Sequence, residues 1–224
     1  VHGGEMSVVE GRLEDAIAEF EDAEHADWHS LAPGESPYRV EGAKTLALEI
    51  AEQLGWSTPD AVVHATGSGT GLRGLATGFD QARETGLIAD RPALYAAQAE
   101  GCAPVVRAHE EGREGVQGWE RPDTICGGIE VPNPPVGGRL LAALRDGEGG
   151  AVATDDDAIL ETAVTLAETT GIEATPAGAA AASGARELAE RGVLGPEDTV
   201  VVVNRSAGTK EADVLRSHLM RRDT

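Results

Sequence analysis

The run Val62-Val63-His64-Ala65-Thr66-Gly67-Ser68-Gly69-Thr70-Gly71-Leu72 has the residue types and spacing best suited to chemistry. Apolar residues enter a turn of glycines and small hydroxyl residues, and the helical pattern Leu72, Leu75, Ala76, Phe79 leaves it. Strand, glycine turn and helix start together make the local geometry of a phosphate cup. Glycine lets the backbone take positive φ and come close to an anion. The free N–H groups of the first helical turn, with the helix dipole behind them, then hold that anion. The candidate contacts are Thr66, Gly67, Ser68, Gly69, Thr70 and Gly71. No lysine follows the last glycine, so this is not a Walker P-loop. The glycines alternate, so it is not a strict G-x-G-x-x-G fingerprint either. A glycine-rich βα turn with no ligand uses the same residues, and the local pattern does not separate the two.

Other chemistry-bearing residues carry less. His25 and His29 are four apart, the spacing of two metal ligands on one helix face, but no third ligand accompanies them. Cys102 and Cys126 sit among small residues and read as core thiols rather than a disulfide framework.

The elements that must position the cup follow from periodicity. Met6 to Val9 reads as a short strand. Leu13, Ala16, Ile17 and Phe20 predict a helix over about 12–25, then a loop over 26–37. A second helix spans 40–54, closed by Gly55. Strands follow at 61–65, 93–98 and 151–153. Helices follow the cup to about 85, then occupy about 102–111, the segment carrying Leu140, Leu141 and Leu144, the segment to 169, and 176–191. Pro134-Pro135, Thr154-x-x-Asp157 and Thr175-Pro176 are their start signals. Val200 to Val203 is wholly apolar and reads as a central strand. A turn at 204–208 and a helix over 213–220 end the chain. Residues 112–139 form a long loop, and loops of that length in compact domains are usually functional. Alternating strands and helices define an α/β fold, a largely parallel sheet with helices on both faces. Ligands in such sheets sit at the carboxyl ends of strands, where the polar turns 66–71 and 204–208 fall.

The chain has 224 residues, 41% of them hydrophobic, and a formal net charge of −21. Length is ample for a buried core. No 18-residue apolar run spans a membrane. The beginning, Val1-His2-Gly3-Gly4-Glu5, has no signal-peptide pattern and no initiator Met, which suggests a chain that starts inside a longer reading frame. The acidic surplus argues against nucleic acid and anionic membrane surfaces as partners. Only Lys44 and Lys210 are lysines, and the carboxylates are spread over the helices. That distribution suits a cytoplasmic protein of a salt-loving organism.

Residues 37–60 carry a family resemblance. Pro37-Tyr38-Arg39-Val40-Glu41-Gly42-Ala43-Lys44-Thr45, then Glu49-Ile50-Ala51-Glu52-Gln53-Leu54-Gly55-Trp56 and Pro59-Asp60, resembles threonine synthase. Gln98 to Pro104, Thr124 to Pro134 and Gly171 to Ala177 resemble later family segments, so the likeness runs from about 4 to 217. It implies a fold type II enzyme, similar to the tryptophan synthase β large domain. It implies pyridoxal 5′-phosphate, with the phosphate at Gly67 to Gly71 and Thr66 as the adjacent hydroxyl. In Asn204-Arg205-Ser206-Ala207-Gly208-Thr209-Lys210 it implies a neutral hydroxyl at the pyridine nitrogen; strict alignment puts Arg205 there, and a one-residue shift puts Ser206. The family's Schiff-base lysine belongs to a segment N-terminal to this one, and neither Lys44 nor Lys210 matches it. Residues 1–30 then resemble the end of a small domain, and 31–224 the large cofactor domain. The implied activity is a lyase that turns O-phosphohomoserine and water into threonine and phosphate, with this chain alone inactive. Another fold type II enzyme, such as a threonine or serine dehydratase, and a non-catalytic ligand-binding relative are the alternatives. The implied partners are a phosphorylated amino acid and, compatibly with the family, a second copy of the chain.

Overall fold

A computed structural model of the chain describes residues 3–11, 13–23, 29–32, 34 and 36–222. Among the described residues four strands make one sheet: β1 Ala61–Ala65, β2 Ala93–Ala99, β3 Gly150–Thr154 and β4 Val200–Val203. Their spatial order is β3-β2-β1-β4, and every pairing is parallel. The helices are α1 Leu13–Asp22, α2 Pro37–Ala43, α3 Thr45–Gln53, α4 Thr70–Glu84, α5 Pro104–Glu110, α6 Gly137–Asp146, α7 Asp156–Thr170, α8 Pro176–Glu190 and α9 Ala212–Arg222.

Side chains of a strand alternate between faces, and the core divides accordingly. Val62, Leu94 and Ala96 point to one face, where they meet Ile50 of α3, Leu72, Leu75 and Phe79 of α4, and Leu140, Leu141 and Leu144 of α6. Val63, Tyr95, Ala97 and Val152 point to the other, against Ile159 of α7 and the alanines of α8. The alanine-rich sequence of α8 has a steric reason. A Cβ on Gly184 would stand 2.9 Å from both Ala97 Cβ and Val152 Cγ1, so this helix lies close on the sheet and only small residues fit. The α/β fold with helices on both faces is therefore the observed one.

Several details differ from the sequence expectations. Met6 to Val9 forms no strand, and Met6 and Val8 are 85% and 82% exposed. An apolar run that pairs with no strand gains nothing from extending. The helix expected over 40–54 is two, α2 and α3, separated by a turn at Lys44. The start of α7 is not a Thr154 box: Asp155 is the N-cap, its carboxylate accepting from the Ala158 N–H at 2.8 Å. Thr175 does cap α8, accepting from the Gly178 N–H at 3.1 Å. The strand β4, expected to be central, lies at the edge of the described sheet, and Val202 is 38% exposed. An apolar run reports cover over the faces of a strand, not which neighbours pair beside it. His25 lies outside the described residues. Cys102 and Cys126 are both buried and unbridged.

Candidate functional site

The sheet order places the site. From β1 the chain goes to β2 and β3 on one side, then returns through α7 and α8 to β4 on the other. Strand order reverses between β1 and β4, and crevices at such a switch point, outside the carboxyl ends of the strands, are where α/β sheets hold ligands. His64 pairs with Val203 at the ends of these two strands. The turns 66–71 and 204–208 therefore leave the sheet side by side.

The cup is built from below. Thr66 is fully buried; its N–H donates to Ala97 O at 2.8 Å, and its carbonyl accepts from Gln98 Nε2 at 3.0 Å. Its hydroxyl donates to His64 O at 2.8 Å. Thr66 is thus committed to the protein and shapes the cup instead of offering a free donor. Gln98, also fully buried, accepts from the N–H groups of Val105 and Val106 at 2.9 and 3.2 Å, which ties the cup to the start of α5. Ser68 Oγ lies 3.3 Å from Thr70 Oγ1. Gly69 takes φ +86°, a left-handed conformation that favours glycine, and its carbonyl accepts the Arg73 N–H at 2.9 Å to open α4. Among the described residues, the N–H groups of Gly71 and Leu72 in the first turn have no acceptor.

The glycines are needed for a reason the sequence did not suggest. A Cβ on Gly67 would stand 2.9 Å from Val131 Cγ2, and one on Gly69 2.8 Å from Val136 Cγ2. A Cβ on Gly71 would stand 2.7 Å from His64 Nε2. All three missing side chains would collide with the protein itself. The long loop does the crowding at Gly67 and Gly69. It is held in place by Asp156, which accepts from Thr124 Oγ1 at 2.6 Å and the Ile125 N–H at 2.9 Å. The Arg107 guanidinium over the Trp119 ring, at 4.7 Å, holds its first half.

The second turn is fastened to the segment before α8: the Thr175 N–H donates to Ser206 O at 3.2 Å and the Gly208 N–H to Glu173 O at 3.3 Å. Ser206 is half-buried, and its hydroxyl makes no hydrogen bond among the described residues. Arg205 Nη1 comes within 3.7 Å of where a Gly71 Cβ would be. His64 lies beneath, fully buried, its pKa lowered to about 3 by desolvation and then by the Arg205 charge. His64, Gln98 and Arg205 are the residues that sequence reasoning left out of the phosphate cup. Period-two alternation puts His64 on the same face of β1 as Val62, a signal for this residue alone.

Lys44 is elsewhere. Its Nζ contacts Glu41 Oε2 at 2.5 Å and Gln81 Oε1 at 2.8 Å. Gln81 is eleven residues past Thr70, about 16 Å along the helix. Lys210 is exposed, in the short 3-10 turn 208–211.

A parallel α/β sheet with a helix N-terminus and a glycine turn at its switch point defines a class of anion-binding, ligand-holding folds. Within it, the family model for "pyridoxal-phosphate dependent enzyme" matches residues 1–205, and the chain belongs to that family. It is 32% identical over 203 residues to threonine synthase of Methanosarcina acetivorans, covering 91% of this chain and 50% of that protein. It is 30% identical over 212 residues to threonine synthase of Methanocaldococcus jannaschii, covering 95% and 52%. The chain spans about half the length of these curated relatives. Among solved structures, threonine deaminase isoform 2 from Solanum lycopersicum superposes with a TM-score of 0.67 at 20% identity, over 84% of this chain and 52% of that one. A T.th. threonine deaminase does so with 0.61 at 26% identity, over 78% and 58%. The fold is that of fold type II pyridoxal-phosphate enzymes.

Proposed function

We propose that this chain is the cofactor-holding part of a threonine-synthase-like lyase, acting on O-phosphohomoserine and water to give threonine and phosphate. The observation that carries it is the cup at the switch point, with two free amides at the N-terminus of α4. A phosphate fits that donor set: the amides of Gly71 and Leu72 would hold it, Gly67 to Thr70 would wall it, and Thr66 would fix the wall. Ser206, with an unspent hydroxyl in the turn after β4, is the proposed partner of the pyridine nitrogen. Pyridoxal phosphate, when bound, supplies an electron sink for carbanion chemistry. The chain's own residues bind, orient and cover; the loop at 127–136 shuts one side of the cup against water.

Relatives compared by sequence favour threonine synthase over a dehydratase. The division into the end of a small domain at 1–30 and a cofactor domain at 31–224 belongs to this proposal, as do a homodimeric assembly and surfaces that avoid nucleic acid. Two buried, unbridged thiols and the acid-rich composition support a cytoplasmic, salt-adapted protein. Among the described residues no helix is long and apolar enough to cross a membrane.

The test is titration of the purified chain with pyridoxal 5′-phosphate. Gly69→Asp adds a Cβ at φ +86° and a carboxylate beside the phosphate. Ser68→Asp adds the charge without the backbone penalty. Each should weaken binding by about tenfold or more, the scale of one lost charge-assisted interaction. Arg73→Ala, outside the turn, should stay within about twofold. Tight binding by folded Ser68→Asp would show that the phosphate is held elsewhere.

A further inference from the structure

We propose that Arg205 is the cationic clamp of the cup: with an anion at the start of α4, its guanidinium donates to the buried His64 Nε2 and to the anion together. The inference rests on the cup being a phosphate site and adds the side chain that supplies its charge.

The Thr66 hydroxyl has one proton, and it is spent on His64 O at 2.8 Å. At its 3.1 Å contact with His64 Nδ1, that oxygen can then only accept. The imidazole is therefore protonated at Nδ1, and Nε2 carries a bare lone pair. Nε2 is buried, in a residue 1% exposed, and has no partner. A buried acceptor left unpaired is costly, and native structures seldom leave one so.

His64 Nε2 is 2.7 Å, and Arg205 Nη1 3.7 Å, from the same point, the Cβ that Gly71 lacks. Both nitrogens thus converge on the second residue of α4, where the amides of Gly71 and Leu72 are free. Glycine at 71 is what leaves room for them.

Arg205 is exposed and has no ion pair or hydrogen bond among the described residues, in a chain whose carboxylates exceed its basic side chains by 21. A guanidinium presents five N–H donors in a planar fork and has no acceptor. One edge can meet a lone pair while another meets a phosphate oxygen, a division that a lysine ammonium does not reproduce. His64 is then a positioning residue and Arg205 a binding one.

The experiment follows the His64 ring nitrogens by NMR in the 15N-labelled full chain at neutral pH. It titrates inorganic phosphate, pyridoxal 5′-phosphate and, as the phosphate-free control, pyridoxal. Both phosphate probes should bind and move the Nε2 resonance towards that of a hydrogen-bonded acceptor; pyridoxal should not. Arg205→Met, at an exposed position, should weaken both phosphate probes by about tenfold or more and leave Nε2 unmoved. Arg205→Lys should recover part of the affinity through charge alone. Equal phosphate affinity in Arg205→Met, or an Nε2 signal that stays still in the saturated parent, would overturn the clamp while leaving the cup intact. Failure of both phosphate probes to bind the folded parent, or binding untouched by Ser68→Asp, would overturn the cup and the clamp with it.

Discussion

Buried at the end of β1, His64 shows how one residue ties the site to the stability of the fold. Desolvation and the Arg205 charge lower its pKa from 6.5 to about 3. Between those values the unfolded chain binds a proton that the folded chain does not. Stability must then fall as pH falls through this window, by up to about 1.4 kcal/mol per pH unit from this one group. Unfolding free energies from urea titrations at pH 7 and pH 5 should differ by about 2 kcal/mol more in the parent than in His64→Asn. An equal pH dependence in both would mean that His64 already charges in the folded state. The two lysines make a second residue-scale prediction. Lys44 is engaged by Glu41 and Gln81, away from the cup. Borohydride reduction of the chain with pyridoxal 5′-phosphate, mapped by mass spectrometry, should give no stoichiometric adduct on Lys44 or Lys210. A single full adduct accompanied by threonine formation would show that one of them is the catalytic amine.

Among the elements, α7 and the loop before α6 depend on adjacent carboxylates that composition alone would assign to a solvated face. Asp155 caps α7 through the Ala158 N–H, while Asp156 reaches back to Thr124 and Ile125. Asp155→Ala should cost about 1 kcal/mol, the usual worth of such a cap. Asp156→Ala should cost a similar amount and also release residues 124–125. Hydrogen exchange separates the two effects: Asp156→Ala should raise exchange at the Ile125 amide, and Asp155→Ala at the Ala158 amide. Identical exchange maps for the two variants would contradict this division of labour. The same loop crowds Gly67 and Gly69, so on the proposed reading of the cup loosening it should also weaken phosphate binding.

For the whole molecule, charge is the dominant variable. Local ion pairs such as Arg186–Glu190 at 2.8 Å and Arg191–Glu187 at 2.7 Å are exposed and weak. They cannot offset a net charge of −21. Screening shortens the Debye length from about 10 Å at 0.1 M salt to about 3 Å at 1 M, which should relieve the repulsion. The thermal midpoint should therefore be higher in 2 M KCl than in 0.1 M, each 1 kcal/mol gained showing as about 2–4 °C. A midpoint that stays put or falls would reject salt adaptation as the reason for the acidity.

Much of this architecture was legible in the residues. Alternation at Val62-Val63 and Leu94-Tyr95, 3.6-residue periodicity after Leu72, and the cap at Thr175 are local signals, set by backbone geometry within a few residues. They sufficed for an α/β fold with the cup at a strand end, and the 37–60 run sufficed for the family. Tertiary structure decided what depends on contacts distant in sequence. It put β4 at an edge of the described sheet because strand neighbours are chosen by pairing, which a run of four valines does not encode. It gave each cup glycine a colliding partner, from Ile129 and Val131 to Val136 and His64, and the first three belong to segments dozens of residues away. It brought Arg205 to Gly71 because β1 and β4, far apart in sequence, lie side by side. Sequence names the residues with donors to offer; only the packing of those strands decides which of them face one another.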